Sequence, residues 1–554
     1  MSNRKKEIIL LCLIMVVGFI LRVWNIYHNL PFLPDPDEQM NVNRAVAFGS
    51  GDLNPHNFKH PATHQYILFI LFGIYYCISY AVGAISSVHD FELEFISDPT
   101  NFYLIARLFI VLLGTTTLFL IYVIGKENYG SSTGLISSIL LSVSVAHATY
   151  FIPKGEIPTT FFICFSFIYI LRVCKEGKIE NYIKAGMLSG LALGTKYYSG
   201  LLIIPLIASH YFYVSNTKSR ILDKKIFIST SVMGLTFVIT NPYVIIDYHT
   251  FYEHFIYQLK WPSIYSDTLI GFGAGHIFYL KNIFSFSLGL ILGIICFIGV
   301  IFASYIHSKT DIIILLFIIP FYFLLGLTNL PYYRYLIPII PLVVLLGART
   351  VNVCFQSYLQ GLNYNIKCIC VVAVLIISPS YNLIEYKIKT SKKDVRIAAK
   401  EWIETNIPEN SRILLSGNNV SMTKAAPLED SLNSLEEKKI ENRNSGIWGI
   451  SLKGLEKYYK LKIEANKLGL IKSKKYYLTS TKSGFNVEPI EYYKLKKYDY
   501  FVLSDEIEVP SWSLKKKKMY PNVVSFYNSL TSTSVLLKAF EDQGRIIKIY
   551  KLKQ

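Results

Sequence analysis

Apolar runs of about 20 residues recur along the chain from Ile8 to Leu383, separated by short polar segments. That length matches helices crossing a hydrocarbon layer ~30 Å thick. The pattern predicts a mostly α chain: a polytopic transmembrane helical bundle over residues 1–385, then a soluble extracytoplasmic α/β domain over residues 386–554. In the second part, Ser391–Asn406 reads as an amphipathic helix stopped by Pro408. Arg412–Ser416, Tyr498–Leu503 and Ile546–Leu552 read as strands, and Lys515–Lys518 as a solvated loop or, less favoured, a phospholipid contact.

Two membrane segments depart from simple counting. Tyr66–Ser86 is apolar enough to span, but the acidic loop after it, His89–Asp98, has no Lys or Arg. A membrane-lying or re-entrant helix reconciles its two ends. Ile183–Tyr213 starts and ends beside basic residues, with Gly194-Thr195-Lys196-Tyr197 between. It reads as two short helices broken near the outer side, a feature that lines cavities.

Charge sets the orientation. Arg4, Lys5 and Lys6 precede the first apolar run, Ile8–Trp24, which no small-residue cleavage site follows. It reads as a retained span with a cytoplasmic N-terminus. The same rule makes Lys126–Tyr129, Arg172–Lys184, Lys218–Lys225, Lys309 and Arg349–Lys367 cytoplasmic. Asn25–His64, Pro153–Glu156, Asp247–Lys281 and Thr328–Tyr335 then face outward, and a last span near Cys368–Leu383 delivers the tail outside.

Composition agrees with a membrane protein. Residues are 52% hydrophobic and only 17% charged, with mean hydropathy +0.36. The 15% aromatic content excludes disorder and collagen. Formal net charge is +18, and from Glu385 onward Lys+Arg number 32 against 20 Asp+Glu. An extracytoplasmic basic tail excludes a nucleic-acid role. The eight cysteines all lie in the membrane part without a CxxC pair, so neither a disulfide framework nor a thiolate metal site is indicated.

Candidate chemistry gathers on the outward loops. Leu33-Pro34-Asp35-Pro36-Asp37-Glu38 places three carboxylates in four residues, and Lys154-Gly155-Glu156-Ile157-Pro158 forms a second ionisable cluster. As a bland alternative, the first is a solvated acidic turn marked by its prolines. Together the clusters supply a general base and phosphate clamps. The cation candidates are Lys59, Arg107, Lys154, Lys196 and Arg334. Lys59 and Lys154 could instead be interface residues, and Arg334 could serve stacking in Tyr332-Tyr333-Arg334-Tyr335. Arg107 and Lys196 lie inside apolar segments, where charge is costly and commonly functional. His56, His60 and His64 are spaced as helical metal ligands, but Pro61 disfavours a common face. The cofactor candidate is a divalent cation between Asp37 and Glu156.

These motifs follow an order: Pro36-Asp37-Glu38, Lys59-His60-Pro61, Ala106-Arg107-Leu108, Tyr150–Pro158, Gly190–Tyr197, Asn241-Pro242-Tyr243 and Tyr333–Pro338. Over about residues 7–385 the sequence resembles the protein mannosyltransferase and lipid A aminoarabinose transferase group of C-type (GT-C) membrane glycosyltransferases. The tail resembles the α/β caps of some bacterial members. The resemblance implies inverting transfer of a sugar from a polyprenyl-phosphate donor to an extracytoplasmic glycan, lipid or protein hydroxyl, in the cell membrane. It implies catalytic roles for Asp37 as base, Glu38 as second choice, and Glu156. Substrate contacts are implied for Lys59, His60, Arg107, Lys154, Lys196, Tyr197, Arg334 and Tyr335. The chain departs in having His60-Pro61-Ala62 for His-Pro-Pro or Lys-Pro-Pro, and Glu156 for the commoner Asp. The Trp-Trp-Asp signature of oligosaccharyltransferases is absent, against en bloc transfer to Asn.

Two other readings compete. A transporter or flippase for an anionic glycolipid would also need intramembrane Arg and Lys, but would favour inverted repeats, and none is evident. An inactive scaffold would use its basic tail to bind anionic glycans or lipids.

Overall fold

The computed structural model describes residues 3–32, 35–217, 223–264, 275–327, 332–358, 364–416, 420, 422–424, 450–471, 473–481, 487–504, 507, 509–512, 514–542 and 545–553. The expected loops at Lys218–Lys225, Asp247–Lys281, Thr328–Tyr335 and Arg349–Lys367 each lie partly outside the described residues.

The first helices are α1 (Asn3–Val23), α2 (Pro36–Ala47), α3 (Thr63–Ala81), α4 (Val88–Ser97), α5 (Thr100–Tyr129), α6 (Ser131–Ser142) and α7 (Val145–Ala148). They are followed by α8 (Glu156–Glu176), α9 (Ile179–Leu193), α10 (Ile203–Thr217), α11 (Lys224–Thr240), α12 (Tyr243–Ile246) and α13 (Tyr248–Ile264). The bundle closes with α14 (Gly275–Asn282), α15 (Leu290–Ile306), α16 (Lys309–Gly326), α17 (Ile340–Tyr358) and α18 (Tyr364–Ser391).

Among the described residues, seven helical segments are long and apolar enough to cross a membrane. The apolar windows of α5, α8 and α17 are 61%, 67% and 78% buried, so these three form the centre. Leu118, Ile121, Phe167, Ile170, Leu342 and Leu345 interlock there. The helix α3 passes the length test but is only 28% buried. Its start is tied to the Gly194 loop (Thr63 N donates to Gly194 O, 3.1 Å). Near its other end, the Tyr75 hydroxyl donates to Glu94 of α4 at 2.6 Å. The helix α4 in turn meets the tail through the Lys457–Glu92 and His89–Glu464 ion pairs. One end of α3 thus meets the α9–α10 break and the other a helix that contacts the tail, while by length and composition α3 remains a candidate span. The break between α9 and α10 occurs where expected, through a 3₁₀ turn at Tyr197–Leu202.

The tail contains α19 (Val395–Asn406), β1 (Arg412–Ser416), β2 (Thr423–Lys424), α20 (Leu452–Lys467), β3 (Lys475–Thr481) and α21 (Ile490–Leu495). It continues with β4 (Tyr500–Ser504), α22 (Leu514–Met519), α23 (Pro521–Thr533), β5 (Ser534–Asp542) and β6 (Arg545–Leu552). The sheet order is β2-β3-β1-β4-β6-β5, with β1 parallel to β3 and β4, and β6 antiparallel to β4 and β5. One face packs Val395, Ala399 and Ile403 of α19, and the other Phe526 and Leu530 of α23. That two-sided cover explains why all five residues of β4 are buried.

Two boundaries differ from expectation. The last membrane helix runs to Ser391, past residue 385, and α19 begins only at Val395, where Asp394 caps it by accepting from Arg396 N. Lys515–Lys518 belong to the short helix α22 rather than a loop, since a lysine run is compatible with a helix once Leu514 and Met519 flank it.

A short loop ties the tail's attachment to the membrane part. Asn25 Nδ2 donates to Lys387 O at 2.8 Å, Ser391 Oγ donates to Asn25 Oδ1 at 2.9 Å, and Lys387 Nζ donates to Trp24 O at 2.9 Å.

Candidate active site

The Asp35-Pro36-Asp37-Glu38 run is a helix start rather than a solvated turn. Asp35 is the N-cap of α2, accepting from Asp37 N at 3.0 Å and Glu38 N at 3.3 Å, with Pro36 at the first helical position. Asp37 and Glu38 then sit in the first turn, where the helix dipole favours negative charge. The sequence carries this signature in its Asp-Pro-Asp-Glu order, and the structure excludes the alternative of a solvated acidic turn.

Consecutive helix residues point about 100° apart, so Asp37 and Glu38 face different surroundings. Glu38 turns inward onto Arg107, with Nε–Oε1 2.7 Å and Nη2–Oε2 2.9 Å. Arg107 Nη1 also donates to Ile26 O at 2.6 Å and His28 O at 2.8 Å. This fork holds the loop and α2 together, so Arg107 and Glu38 form a buried pair. Burial pushes the Glu38 carboxyl up, against the opposing pull of Arg107.

Asp37 faces outward into a chain of alternating charges. Its Oδ2 lies 3.1 Å from Lys154 Nζ and 3.1 Å from Arg334 Nη2. Lys154 also reaches Asp35 at 2.8 Å. Arg334 Nε stands 3.5 Å from Glu156 Oε1, and Lys196 Nζ 3.7 Å from that same oxygen. The Tyr150 hydroxyl donates to Glu156 Oε2 at 3.4 Å. Exposure separates the carboxylates: the side chain of Asp37 is 39% exposed, while those of Glu38 and Glu156 are each 2%. Burial alone would raise the Asp37 carboxyl, but Lys154 and Arg334 outweigh it and hold it below the usual carboxylate range.

Close backbone approach assembles this cluster. A Cβ on Gly155 would meet Lys196 Cε at 2.8 Å and Thr195 O at 3.2 Å; one on Gly194 would meet Thr63 Oγ1 at 2.3 Å. Asn241 completes the knot, accepting from Ala62 N at 2.7 Å and donating to Thr63 Oγ1 at 2.8 Å. The Asn-Pro motif thus fixes the Lys59-His60-Pro61 loop against the α9–α10 break.

The remaining expected residues are placed around it. His60 has its ring basicity pushed well down by burial and by the charges of Lys196, His64, Arg44 and Arg334. Tyr197 is directed away, its hydroxyl donating to Phe58 O at 2.8 Å. Tyr335 and Tyr332 stack on Arg334, ring centroids 5.4 and 4.7 Å from Cζ, so Arg334 both stacks and pairs with acids. Lys59 Nζ sits 4.5 Å over the Tyr257 ring, and no carboxylate pairs with it among the described residues. Asp35 and Tyr150 belong to the cluster although no site role was assigned to them from sequence.

The residues do not fit a resident divalent ion. His56 pairs with Asp52 at 2.8 Å and His64 with Asn41 at 2.9 Å, so the three histidines part ways. The space between Asp37 and Glu156 is bridged by Arg334, and among the described residues no group of three His, Cys, Asp or Glu could hold a metal.

Residues 103–244 match the family model of dolichyl-phosphate-mannose-protein mannosyltransferases, a glycosyltransferase-type enzyme family. The whole chain is similar to the apo oligosaccharyltransferase of Archaeoglobus fulgidus, with TM-score 0.53 and 10% identity, covering 92% of this chain and 70% of that one. It is also similar to ArnT from Cupriavidus metallidurans bound to undecaprenyl phosphate, with TM-score 0.51 and 12% identity, covering 99% and 98%. The fold is that of a C-type membrane glycosyltransferase. The resemblance to the protein mannosyltransferase and aminoarabinose transferase group therefore holds. The archaeal protein, AglB, is also known in complex with an inhibitory peptide and a dolichol-phosphate (TM-score 0.51, 10% identity, 100% and 75% coverage) and with Zn and sulfate (0.51, 11%, 89% and 67%). At these identities the likeness is one of fold. No curated protein matches the chain by sequence. The family match includes Arg107, Lys154, Glu156, Lys196 and Tyr197, while Asp37 and Arg334 lie outside it.

Proposed function

We propose that the protein transfers a sugar from a polyprenyl-phosphate donor to an extracytoplasmic hydroxyl acceptor, with inversion at the anomeric carbon. The observation that carries this reading is Asp37: an exposed, ionised carboxylate whose Oδ2 is held by Lys154 and Arg334. Its Oδ1 is left to take a proton. The acceptor oxygen attacks the anomeric carbon, its proton passes to Asp37, and the bond from that carbon to the phosphate oxygen breaks. The leaving oxygen keeps the electron pair, and a nearby cation stabilises the growing charge.

Lys59 suits that task, because the other site cations are already paired with carboxylates. Arg334 and Lys196 border the sugar position, with Glu156 holding both. Arg107 and Glu38 act as positioning residues for α2. The loops read as cytoplasmic from their Lys and Arg support a site and tail on the extracytoplasmic side of the cell membrane, with the tail following the end of α18 at Ser391. Dolichol-phosphate and undecaprenyl phosphate bound in the related structures support a donor of this class.

The test is sugar transfer by the purified protein in lipid nanodiscs supplied with polyprenyl-phosphate sugars and envelope-derived acceptors. Inverted product and released lipid phosphate are expected; donor movement between leaflets with no transfer would sink the reading. Lys59→Ala is expected to raise the donor KM by roughly 10-fold or more, the scale of one lost charged hydrogen bond, with the wild-type acceptor KM retained. The pH profile gives a second check. Asp37 is held below its ordinary 3.8 and His60 well below 6.5, so neither changes protonation across roughly pH 5–8 and kcat/KM is expected to be flat there. The base is lost only as pH falls through the depressed Asp37 value. A midpoint between about 6 and 7 would instead point to a histidine.

A further inference from the structure

At the end of the bundle away from Asp37, α1 and α5 part company. They touch closely near Gly18 and Gly114: a Cβ on Gly18 would meet Leu118 Cδ1 at 2.3 Å, and one on Gly114 would meet Arg22 Nε at 3.3 Å. Toward the start of α1 they diverge and leave a cavity of about 570 Å³. From α1 it is lined by Ile8, Leu11, Cys12, Met15 and Val16, at the spacing of one helical stripe, and from α5 by Phe119 and Tyr122. At a rise of 1.5 Å per residue the stripe is roughly 12 Å long, and Arg4 lies roughly 27 Å along the helix from Arg22. Ile8, Val16 and Phe119 are large, apolar and exposed.

The polar end of the cavity has a defined charge. Arg4, Glu7, Tyr122 and Lys126 line it. The Tyr122 hydroxyl donates to Glu7 Oε1 at 2.6 Å, Lys126 Nζ lies 3.1 Å from the same oxygen, and Lys126 donates to the Tyr122 hydroxyl at 3.0 Å. Glu7 therefore neutralises one of the two lining cations. Arg4 has no carboxylate partner among the described residues, so the lining retains one net positive charge.

We propose that this groove is a binding site for one anionic glycerophospholipid, distinct from the catalytic site. Its phosphodiester sits between Arg4 and Lys126, and an acyl chain lies along Ile8, Leu11, Met15 and Val16. Charge narrows the class to a singly charged headgroup. A phosphodiester carries a single negative charge, matching the lining, whereas a polyprenyl phosphate is a monoester that approaches two charges at neutral pH. Basic pockets between helices at a cytoplasmic surface commonly hold such headgroups. Arg suits bidentate phosphate contact, with Lys126 as a point charge beside it.

The test uses the full-length protein in non-ionic detergent, titrated with phosphatidylglycerol or phosphatidylcholine of identical chains and read by native mass spectrometry. Phosphatidylglycerol is expected to bind about tenfold more tightly. The double substitution Arg4→Gln with Lys126→Gln is expected to abolish the preference. Val16→Trp fills the groove and is expected to weaken both lipids, with sugar transfer unchanged. Glu7→Gln raises the lining charge and is expected to strengthen phosphatidylglycerol binding, which keeps the idea testable should the double variant fail to fold. Equal binding of the two lipids by the wild-type protein overturns the proposal, as does weaker phosphatidylglycerol binding in Glu7→Gln. Tighter binding of polyprenyl phosphate in the groove would make it a site for the released lipid phosphate, and displacement of the lipid by inorganic phosphate at equal affinity would remove the acyl groove; each overturns the assignment to a phospholipid.

Discussion

Asp37→Asn is expected to lower turnover by roughly 100-fold or more, the usual scale for loss of a general base, which corresponds to about 2.7 kcal/mol or more of barrier. The substitution keeps volume and removes proton acceptance. It leaves the cluster standing, because Lys154 retains Asp35 at 2.8 Å and Arg334 retains Glu156 at 3.5 Å. The neutral amide also leaves one more uncompensated cation beside the donor phosphate, so donor binding is expected to hold or tighten while kcat falls. The measurement is sugar transfer by purified variants in nanodiscs, with donor affinity read separately. Wild-type turnover in Asp37→Asn would move the base to another carboxylate, and unchanged turnover with Asp37, Glu38 and Glu156 all neutralised would remove the site.

Arg107→Ala carries the second large effect, on stability. It strands the Glu38 carboxylate, 2% exposed, with no partner and frees two backbone carbonyls. Breaking one side of a buried ion pair costs about 3–5 kcal/mol, a large fraction of the roughly 5–15 kcal/mol by which folded proteins are stable. The expected readout is a large loss of folded protein in a thermal or denaturant series. Replacing both partners, Arg107→Leu with Glu38→Leu, is expected to recover most of it, because no charge is then left buried. A stable Arg107→Ala protein with weakened donor affinity alone would return Arg107 to the phosphate-binding role that its place in an apolar helix suggested.

That contrast shows what the sequence could convey. A charged residue inside an apolar run was legible as costly and purposeful, and Arg107 and Lys196 are both buried and both paired. Whether the partner is a substrate phosphate or a carboxylate sixty-nine residues away depends on how α2 is rotated, which local pattern does not encode. The membrane helices were legible because lipid demands long apolar stretches, and β1 because a short apolar run after Pro408 has few alternatives. The start of α2 carries an N-cap, a first-position proline and an acidic first turn, but which of its carboxylates meet Lys154 is set by long-range packing rather than by local pattern. Asp35 went unassigned for the same reason: its contact with Lys154 spans 119 residues. Tyr150 was quoted within its motif, yet its hydroxyl reaches Glu156 only through the fold.

The loop between Trp24 and Leu30 works as a yoke. Its Asn25 is bolted to Lys387 and Ser391, where the tail joins the membrane part, and its Ile26 and His28 carbonyls are gripped by Arg107, which grips Glu38 beside Asp37. Load applied to the tail is thus borne within three hydrogen-bonded steps by α2, the helix that carries Asp37. A shortened chain ending before Lys387 would not be a simpler machine with an open top; it would leave Asp37 on a slack mounting.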